Sequence, residues 1–479
     1  MVPQLFLLLQ LSSASFLRGQ YPDYGAPAQP VPTVTCDVTG AAWGAAGDGV
    51  TDDTAAIQHC LDACGATGTR ARAAVAAVLL PRGRSFVAGA LNLTSRLLLR
   101  LEGTLLASTD PAAYPVVPAL PGYGRCRDSG YPPARAYARH QALLSGWNLT
   151  DVWVDGGGVG AIDGRGNVSN AIDGTSWNSR FRAKQLDWGR PRLVEPMFGD
   201  AFALTRLAVR NQPFWAVHPY GMSGVYLTDL NITAPRDEGI DNDDGLDPDS
   251  CEEVLVERCV VDVGDNSVAV KSGMDGAGRA FGRPTRNVVF QDCEFVCETF
   301  AIGSEMSGGV YNLTVRRCAF GGRGSDFAGV HIKSARGRGG AVHGIVFEDV
   351  RFDMTASENA KQPFPISASL FYEGSPPPTN ASATPEVYGV AVRNATIAMP
   401  AAVAKRRGLF QFVGLPESPL RAFHFEDVRV VSGSVGGQTG DDAWSCTDTA
   451  GFTFAGNITP APGKQCRGEA QKPTRERDT

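Results

Sequence analysis

The sequence has little charge and no long hydrophobic segment. Asp, Glu, Lys and Arg make up 20% of its 479 residues, and the formal net charge is −6. Without a basic excess the chain has no general affinity for nucleic acid, so we expect no nucleic-acid partner. No window of about 18 uninterrupted apolar residues occurs, so we predict no membrane span and no membrane partner. No cysteine spacing is typical of a zinc site, and we predict neither a metal nor a cofactor.

Glycine and proline are abundant instead, with 56 and 31 residues, which indicates many turns. Between the turns a pattern of apolar-x-apolar-x-x-apolar-x-apolar recurs, and each copy alternates like a short strand. The copies start at Val225, Val254, Val288, Leu313, Ile345, Val390 and Phe423, and earlier copies start at Val152 and Leu207. From Val225 onwards, consecutive starts are 25 to 45 residues apart. A second short strand often follows a copy after a turn.

Repeats of this length that consist only of strands predict a solenoid, in which each coil buries its apolar face on its neighbours. We therefore predict an all-β protein, a right-handed, single-stranded parallel β-helix over residues 21–466. A β-propeller is the alternative, but its blades need about 40 residues and four strands each. A short amphipathic helix within residues 47–64 is expected to cap the N-terminal end. Residues 467–479 are polar, and we predict a disordered tail.

The N-terminus and the sequons indicate export. Residues 1–20 contain a short apolar run followed by small residues, as in a secretory signal peptide. Eight Asn-X-Ser/Thr sequons support the same conclusion. They are at Asn92, Asn148, Asn167, Asn231, Asn312, Asn380, Asn394 and Asn457. We expect a secreted monomer, in the extracellular space or the cell wall.

The 11 cysteines divide into two groups. Three occupy the sixth position of the aligned copies, which is always apolar, and are predicted to be buried in the core. These are Cys259, Cys293 and Cys318. The other eight, an even number that suits disulfides in a secreted chain, are Cys36, Cys60, Cys64, Cys126, Cys251, Cys297, Cys446 and Cys466. We predict a Cys446–Cys466 pair, and we expect Cys60 and Cys64, one helical turn apart, to bond elsewhere.

Polar side chains recur at the ends of the coils between residues 242 and 333. In the second strand of each coil the pattern places Asp247, Lys271, Gly303 and Lys333 in one column. His331 lies two residues before Lys333 and therefore shares its face. The polar set is expected to form a site across stacked coils.

Two carboxylates precede neighbouring strands of this region. Asp244 and Asp265 are separated by 21 residues, about one coil, so both are expected to face one groove. Carboxylates and lysines gathered at repeat spacing suggest chemistry on a carbohydrate. The nearby Trp215 and His218 are interpreted as turn packing rather than as a sugar platform.

Several motifs together resemble glycoside hydrolase family 28, the polygalacturonases, and within it the plant polygalacturonase-like branch. Asn242-Asp-Asp-Gly-Leu-Asp is similar to the family's Asn-Thr-Asp-Gly-x-Asp, and residues 264–266, Gly-Asp-Asn, are similar to its Gly-Asp-Asp. Residues 331–333, His-Ile-Lys, are similar to its Arg-Ile-Lys. Residues 190–195, 211–219, 302–309 and 337–340 also resemble that branch. The resemblance covers roughly residues 40–440.

The resemblance implies a parallel β-helix that hydrolyses α-1,4-galacturonide bonds of pectin with inversion, so its partner is a pectic polysaccharide. Inverting hydrolysis needs one carboxyl group to protonate the leaving oxygen and another to activate water. By the resemblance Asp265 is the acid, Asp244 is the base, and Asp247 assists them. A polyanionic substrate also needs cations, for which Lys333 and Lys271 are candidates. Further substrate-binding candidates are His331, Asn242 and Asn266.

Three positions depart from the family motifs. Asn266 stands where the family has a second Asp, and an amide cannot serve as a base. The family's catalytic-site His falls near Glu298, and its Arg is His331, whose ring is cationic only at acid pH. A pectin-binding wall protein of the same fold, without turnover, is therefore the alternative hypothesis. A calcium-dependent pectate lyase shares the solenoid, but the family-specific motifs argue against it.

The loops bear on where such an enzyme would cut. Cutting at internal bonds or at chain ends depends on whether loops such as 107–145 or 373–386 close one end of the groove. Galacturonan and rhamnogalacturonan are alternative substrates.

Overall fold

The computed structural model describes most of the chain. The described residues are 27–70, 75–124, 138–235, 240–296, 299–321, 329–355, 364–372, 383–399, 409–431 and 443–468. The predicted signal peptide, residues 469–479 of the predicted tail, Asn380 and Glu298 lie outside them. Within the described residues no helix is long and apolar enough to cross a membrane.

Most strands belong to three parallel ladders, each of which adds one strand per coil. The first ladder contains β1 (Val34–Asp37), β3 (Ala76–Leu80), β6 (Leu97–Leu101), β11 (Thr150–Asp155), β14 (Asp200–Thr205), β16 (Ser223–Thr228), β18 (Glu252–Glu257), β21 (Thr285–Gln291), β24 (Val310–Arg316), β27 (Ala341–Asp353), β29 (Glu386–Ala398), β31 (Leu420–Val430), β33 (Thr449–Ala450) and β34 (Thr453–Ala455). The second ladder contains β2 (Asp48–Asp52), β4 (Ser85–Ala88), β7 (Thr104–Ala107), β12 (Ala161–Asp163), β15 (Ala208–Arg210), β17 (Asn231–Thr233), β19 (Val260–Asp262), β22 (Glu294–Phe295) and β25 (Ala319–Gly321), and continues in the second halves of β27 and β29.

The third ladder forms the face on which the polar motifs lie. It contains β5 (Leu91–Asn92), β10 (Leu144–Trp147), β13 (Val194–Met197), β20 (Val268–Val270), β23 (Thr299–Ile302), β26 (Gly329–Lys333), β28 (Ile366–Ser369), β30 (Phe410–Val413) and β32 (Trp444–Thr447). Isolated bridges at Val217, Tyr220, Leu246 and Asp249 connect β13 to β20. Within the described residues, the remaining elements are the antiparallel pair β8 (Val116–Val117) and β9 (Arg139–His140), the helices α1 (Thr54–Arg70), α2 (Trp177–Arg182) and α3 (Asp275–Phe281), and two 3-10 helices, Pro111–Ala113 and Pro121–Tyr123.

This architecture is a right-handed parallel β-helix, as predicted, and not a β-propeller. The predicted repeat is confirmed from Val225 to Phe423, because each start pairs with the next in the first ladder. The predicted start at Leu207 is wrong, since Phe202 is the residue that pairs with Val225. Leu207 comes just before β15, which belongs to the second ladder. Apolar and polar residues alternate there as they do in a first-ladder strand, so the two kinds of strand look alike in the sequence.

The core fills the space between the ladders with stacked apolar side chains. The sixth position of the repeat is buried throughout, and its three cysteines are free thiols, as predicted. Cys446 and Cys466 form the predicted disulfide, and Cys36 pairs with Cys64. The expectation that Cys60 bonds elsewhere is wrong, because it is a buried free thiol like Cys251. Cys126 and Cys297 lie outside the described residues.

Helix α1 packs against the N-terminal coils and extends beyond the predicted segment. It begins at Thr54 and ends at Arg70, and its apolar side, with Ile57 and Leu61, is buried in the core. Asp53 precedes it, and the Asp53 carboxylate accepts hydrogen bonds from the backbone of the turn at Ala46 and Gly47. The helix therefore covers apolar side chains that have no preceding coil to pack on.

The bend between the first and second ladders carries charges of alternating sign. In six successive coils the bend residue has a positive φ, and these residues are Arg206, Asp229, Arg258, Asp292, Arg317 and Asp349. Arg258 donates to both carboxylate oxygens of Asp229 at 2.7 and 2.9 Å. Arg317 makes two hydrogen bonds of 2.8 Å to Asp292 in the same way. Each pair joins adjacent coils on the surface.

Candidate active site

Asp244, Asp265 and Asn266 lie just before the third-ladder positions Leu246 and Val268, and Lys333, the last residue of β26, reaches towards them. The backbone N–H of Gly245 donates to the Asn266 carbonyl at 3.0 Å, so Asp244 and Asn266 lie side by side on adjacent coils. The side-chain amide of Asn266 donates to Asp244 at 2.9 Å and to Asp265 at 2.7 Å. Lys333, two coils further on, donates from Nζ to Asn266 Oδ1 at 3.2 Å. The structure therefore brings these four predicted side chains into one cluster.

Burial and like charge set the ionisation of the carboxyl pair. Asp244 is buried, whereas Asp265 is half-buried and more accessible. Burial, followed by the charges of Asp265 and Asp247, raises the pKa of Asp244 well above its ordinary value. Lys271 and the hydrogen bond from Asn266 act in the opposite direction. The charge of Asp265 therefore favours the protonated form of Asp244.

Lys271 is buried between two acidic side chains. Its Nζ lies 3.8 Å from Asp247 Oδ2 and 3.3 Å from Glu305 Oε2. Burial raises the pKa of Asp247 to about 6, although Lys271 acts to lower it. Burial also acts to raise the pKa of Glu305, but nearby cations, Lys271 foremost, outweigh it and lower that pKa to about 2. Lys271 therefore neutralises two carboxylates next to the carboxyl pair, the buried Asp247 and the half-buried Glu305.

The register of the third ladder corrects the predicted polar column. Asp249, and not Asp247, pairs with Lys271. Pro248 therefore stands opposite Val270 and takes the inward, apolar position of the strand. Asp247 lies two residues before Asp249 on the same face, so its carboxylate still lies close to Lys271.

Asn242 is held by an arginine that the sequence motifs did not identify as part of the site. Arg190 Nη2 donates to Asn242 Oδ1 at 2.8 Å, and its Nη1 donates to the carbonyls of Asp241 at 2.6 Å and Pro213 at 3.0 Å. Burial lowers the pKa of Arg190 to about 10, while neighbouring carboxylates act to raise it. The one signal in the sequence was its place in residues 190–195, which resemble the plant branch.

His331 belongs to the outward face of the third ladder but is buried. It pairs with Ala301 on one side and Ser367 on the other. Burial, with the charge of Lys333, lowers the pKa of His331 to about 3. Its ring is therefore neutral above that pH, so it does not replace the family's arginine as a cation. Glu298, near which the family's histidine falls, lies outside the described residues.

A buried ionic network, not predicted from the sequence, occupies the coils before Asp244. Arg139 Nη1 donates to Glu195 Oε2 at 2.5 Å, and Arg192 Nε lies 3.2 Å from Glu195 Oε1. His218 lies between two carboxylates, with Nδ1 3.0 Å from Glu195 Oε1 and Nε2 3.4 Å from Asp249 Oδ2. Burial acts to raise the pKa of Glu195, but the two arginines lower it to about 2. The Glu195 carboxylate is therefore a buried anion that two arginines, Arg139 and Arg192, share as their ion-pair partner.

Trp215 and His218 pack inside the structure, as predicted. Both are buried, and their ring centroids are 4.9 Å apart. The Trp215 ring also contacts two cations, with Arg192 4.6 Å and Lys271 Nζ 4.2 Å from its centroid. Trp215 thus connects Lys271 to the ionic network. In the described part of the chain, no group of three or more His, Cys, Asp or Glu side chains is arranged to hold a metal ion.

Comparison with known proteins places this site in a family. The profile described as Glycosyl hydrolases family 28 matches residues 75–451. The chain belongs to this family. It is 30% identical over 430 residues to a protein named "Probable polygalacturonase" from Vitis vinifera, with 88% of this chain and 78% of that protein covered. It is 29% identical over 349 residues to a polygalacturonase from Ralstonia nicotianae, with 65% of this chain and 60% of that protein covered.

Two solved structures share the family 28 chain's fold. A hyperthermoactive exopolygalacturonase from Thermotoga maritima superimposes with a TM-score of 0.68 at 20% identity, with 90% of this chain and 94% of that chain covered. A polygalacturonase from Erwinia carotovora gives a TM-score of 0.60 at 21% identity, with 89% and 97% covered. At these identities the likeness supports the fold, and membership of the family rests on the sequence matches. As a member of family 28 the chain is a glycosidase, which hydrolyses O-glycosyl bonds.

Proposed function

We propose that this family 28 enzyme hydrolyses α-1,4-galacturonide bonds of pectin with inversion of configuration. One observation carries the proposal: Asp244 and Asp265 share the amide of Asn266, and Lys333 lies beside them. Glycoside hydrolysis needs two carboxyl groups at one site, one of them as general acid. Inversion is what the resemblance to the family implies. Relatives from a plant and a bacterium are named as polygalacturonases, which supports the same substrate.

The two carboxyl groups divide the proton transfers between them. Asp265 protonates the leaving oxygen, because it is the more accessible of the two, and Asp244 takes a proton from the attacking water. Its raised pKa makes Asp244, once ionised, a stronger base than an ordinary carboxylate. Asp247 assists, because its own ionisation changes the charge next to Asp244.

Asn266 positions the two carboxyl groups and transfers no proton. A primary amide has two N–H donors and one carbonyl acceptor. The amide nitrogen of Asn266 contacts Asp244 and Asp265, while its oxygen accepts from Lys333. In this chain the residue therefore orients the acid and the base where the family motif has a third carboxylate.

Lys333 is the cation that we assign to a carboxylate of the substrate. It is half-buried, whereas Lys271 is buried, so Lys333 is the lysine within reach of a ligand. Lys271 acts indirectly, because it balances the charge of Asp247 under the site. Asn242 and His331 complete the proposed substrate-binding set as uncharged polar groups.

We also propose that the enzyme acts outside the cell. The disulfides Cys36–Cys64 and Cys446–Cys466 suit an oxidising compartment. The apolar residues 1–20 and the eight sequons support export as well. That the enzyme is a monomer stays a prediction, which size-exclusion chromatography with light scattering would test.

A reducing-sugar assay on polygalacturonate tests the proposed reaction. We expect the wild type to release reducing ends, and Asp265→Asn to lose on the order of 100- to 10,000-fold in rate, as removal of a general acid does. Asp292→Asn is the matched control, since Asp292 is exposed at a bend away from the groove, and its rate should be that of the wild type. Equal release by the wild type and by Asp265→Asn would overturn the proposal and leave a pectin-binding protein. Products with ultraviolet absorption that disappear with a chelator would instead indicate a lyase.

A further inference from the structure

The outward face of the third ladder is buried on one side of the carboxyl pair and becomes accessible on the other. The column that contains Lys271 runs towards the N-terminus through Asp249 and Tyr220, both 0% exposed. Towards the C-terminus the same column runs through Lys333, which is half-buried, to Thr447, which is exposed. The groove is thus covered towards the N-terminal coils.

The neighbouring outward column has the same asymmetry. On the N-terminal side, Glu195 and His218 are fully buried. On the C-terminal side the column stays buried as far as Ser367, and it then becomes accessible at Gln411, which is half-buried, and Ser445, which is exposed. Within the described residues, both columns are therefore covered next to the carboxyl pair on the N-terminal side and become accessible towards the C-terminal coils.

The buried side is covered by residues 111–124, which we call the crossing segment because they pass over the third ladder. Tyr123 Oη donates to Asp249 Oδ2 at 2.5 Å. The backbone N–H of Gly122 donates to Tyr220 Oη at 2.8 Å. The crossing segment is therefore bonded directly to two successive residues of the column that leads to Lys271.

Helix α3 fixes the crossing segment in place. The backbone N–H of Met274, just before α3, donates to the Gly122 carbonyl at 2.9 Å. Phe281 at the end of α3 stacks on Tyr220, with ring centroids 5.8 Å apart, and Leu120 packs in the same apolar cluster. A Cβ on Gly122 would lie 2.9 Å from Tyr220 Oη, so this close approach requires glycine. The segment is packed as part of the structure and does not lie loosely on the surface.

We infer that the crossing segment closes the groove at the catalytic coil and makes the enzyme act on chain ends. This inference rests on the proposed function, since it takes the ligand to be a pectic chain. Asp249, which Tyr123 contacts, lies on the same coil as Asp244, five residues further along the chain. The closed side has room for terminal sugar units only, and the rest of the chain extends over the C-terminal coils past Lys333.

On the N-terminal side of the crossing segment, the column that contains Lys271 returns to the surface. Three steps from Asp249 the same column reaches Trp147, whose side chain is 56% exposed. The ladder itself therefore continues towards the N-terminus as a surface. It is the crossing segment, and not the end of the β-helix, that interrupts the groove between Trp147 and Lys271.

The products of the wild type on long polygalacturonate test the inference. We expect one or two short products from the earliest time points, with a slow fall in viscosity relative to the reducing ends released. A ladder of oligomers with an early loss of viscosity would show internal cutting and would overturn the inference, while the proposed hydrolysis would stand. Failure of the wild type to release any sugar would instead contradict the proposed function.

A pair of variants tests the role of the crossing segment itself. The double variant Leu120→Ala/Tyr123→Ala removes the two side chains that cover the column, and we expect longer oligomers among its products. Tyr388→Ala is the control, because Tyr388 lies on the first ladder away from the groove, and its product pattern should match the wild type. Circular dichroism and thermal unfolding of each variant establish that it is folded. A folded double variant with wild-type products would show that these side chains do not close the groove.

Discussion

Asn266 donates a hydrogen bond of 2.9 Å from its side-chain amide to Asp244 on the adjacent coil. Asn266→Asp would replace this donor with a third carboxylate, as in the family motif. A like charge at this distance raises the pKa of a carboxyl group. We expect the alkaline limb of the pH profile of kcat/KM to move up by about one pH unit or more, because the acid keeps its proton to higher pH.

The control for this variant is Asn266→Ala, which removes the amide without adding a charge. Its alkaline limb should move less than that of Asn266→Asp. If both variants show the same profile, the charge at this position has no influence on the acid, and the assignment of the pair is wrong.

Lys333→Met removes the accessible cation beside Asn266 and should weaken substrate binding. Hydrogen bonds to charged groups contribute about 1.5–3 kcal/mol, which corresponds to roughly a 10- to 100-fold rise in KM for polygalacturonate. The salt dependence of KM should also decrease, since one charge contact is lost. Steady-state kinetics at two salt concentrations measure both effects. Lys464→Met, an exposed lysine near the C-terminus, should leave KM unchanged.

Lys271→Met should act on stability more than on KM. Removing Lys271 leaves Asp247 and Glu305 without the cation between them, and breaking a buried ion pair in this way costs about 3–5 kcal/mol. The pKa of Asp247, about 6 in the wild type, should rise further, because Lys271 lowers it. Urea unfolding at neutral pH gives the free energy of unfolding. A loss much smaller than that of other buried pairs would contradict the role of Lys271 as a buried counterion.

Glu195 should make the protein sensitive to acid. Arg139 and Arg192 lower its pKa in the folded state to about 2, below the ordinary value of 4.5, despite the opposing effect of burial. This stabilisation is therefore fully present above pH 4.5 and is lost as the pH falls towards 2. Its size is on the order of 3 kcal/mol. Unfolding free energies measured across this pH range should fall more steeply for the wild type than for Glu195→Gln.

Glu417→Gln is the matched control for Glu195→Gln. The pKa of Glu417 is also lowered to about 2, by its hydrogen bond from Arg336, but the Glu417 carboxylate is exposed. Exposed ion pairs contribute little to stability. Glu417→Gln should therefore unfold like the wild type across the pH range, and a large effect of this variant would show that burial of Glu195 is not what makes its network stabilising.

The β-helix could be predicted from the sequence because its core repeats. The sixth-position residues Cys259, Cys293 and Cys318 occupy equivalent positions in successive coils, so alignment of the copies gave their burial correctly. Leu207 was misplaced because first- and second-ladder strands share the same alternation. The thiol of Cys60 could not be distinguished from that of Cys64 by composition alone, since only the fold decides which one reaches Cys36.

The candidate site could be predicted in part. The cluster of Asp244, Asp265 and Lys333 follows from coil spacing, which places loops of successive coils next to one another. The prediction that Asp247 shares a column with Lys271 is wrong, because Pro248 occupies the inward position of this strand. A proline at an inward position does not match the aliphatic pattern from which the column is predicted. Contacts such as Tyr123 to Asp249 span 126 residues between irregular segments, so no periodic pattern contains them.

Because Arg and Asp alternate at the bend between the first and second ladders, it matters whether an odd or an even number of coils is lost or gained. If the coil that carries Arg258 were deleted, Asp229 and Asp292 would become neighbours, two like charges on adjacent turns. Deletion of two successive coils would leave an aspartate beside an arginine again. Exposed pairs contribute up to about 1 kcal/mol each, so the preference is modest, but it favours growth or loss of this part of the β-helix by pairs of coils rather than by single ones.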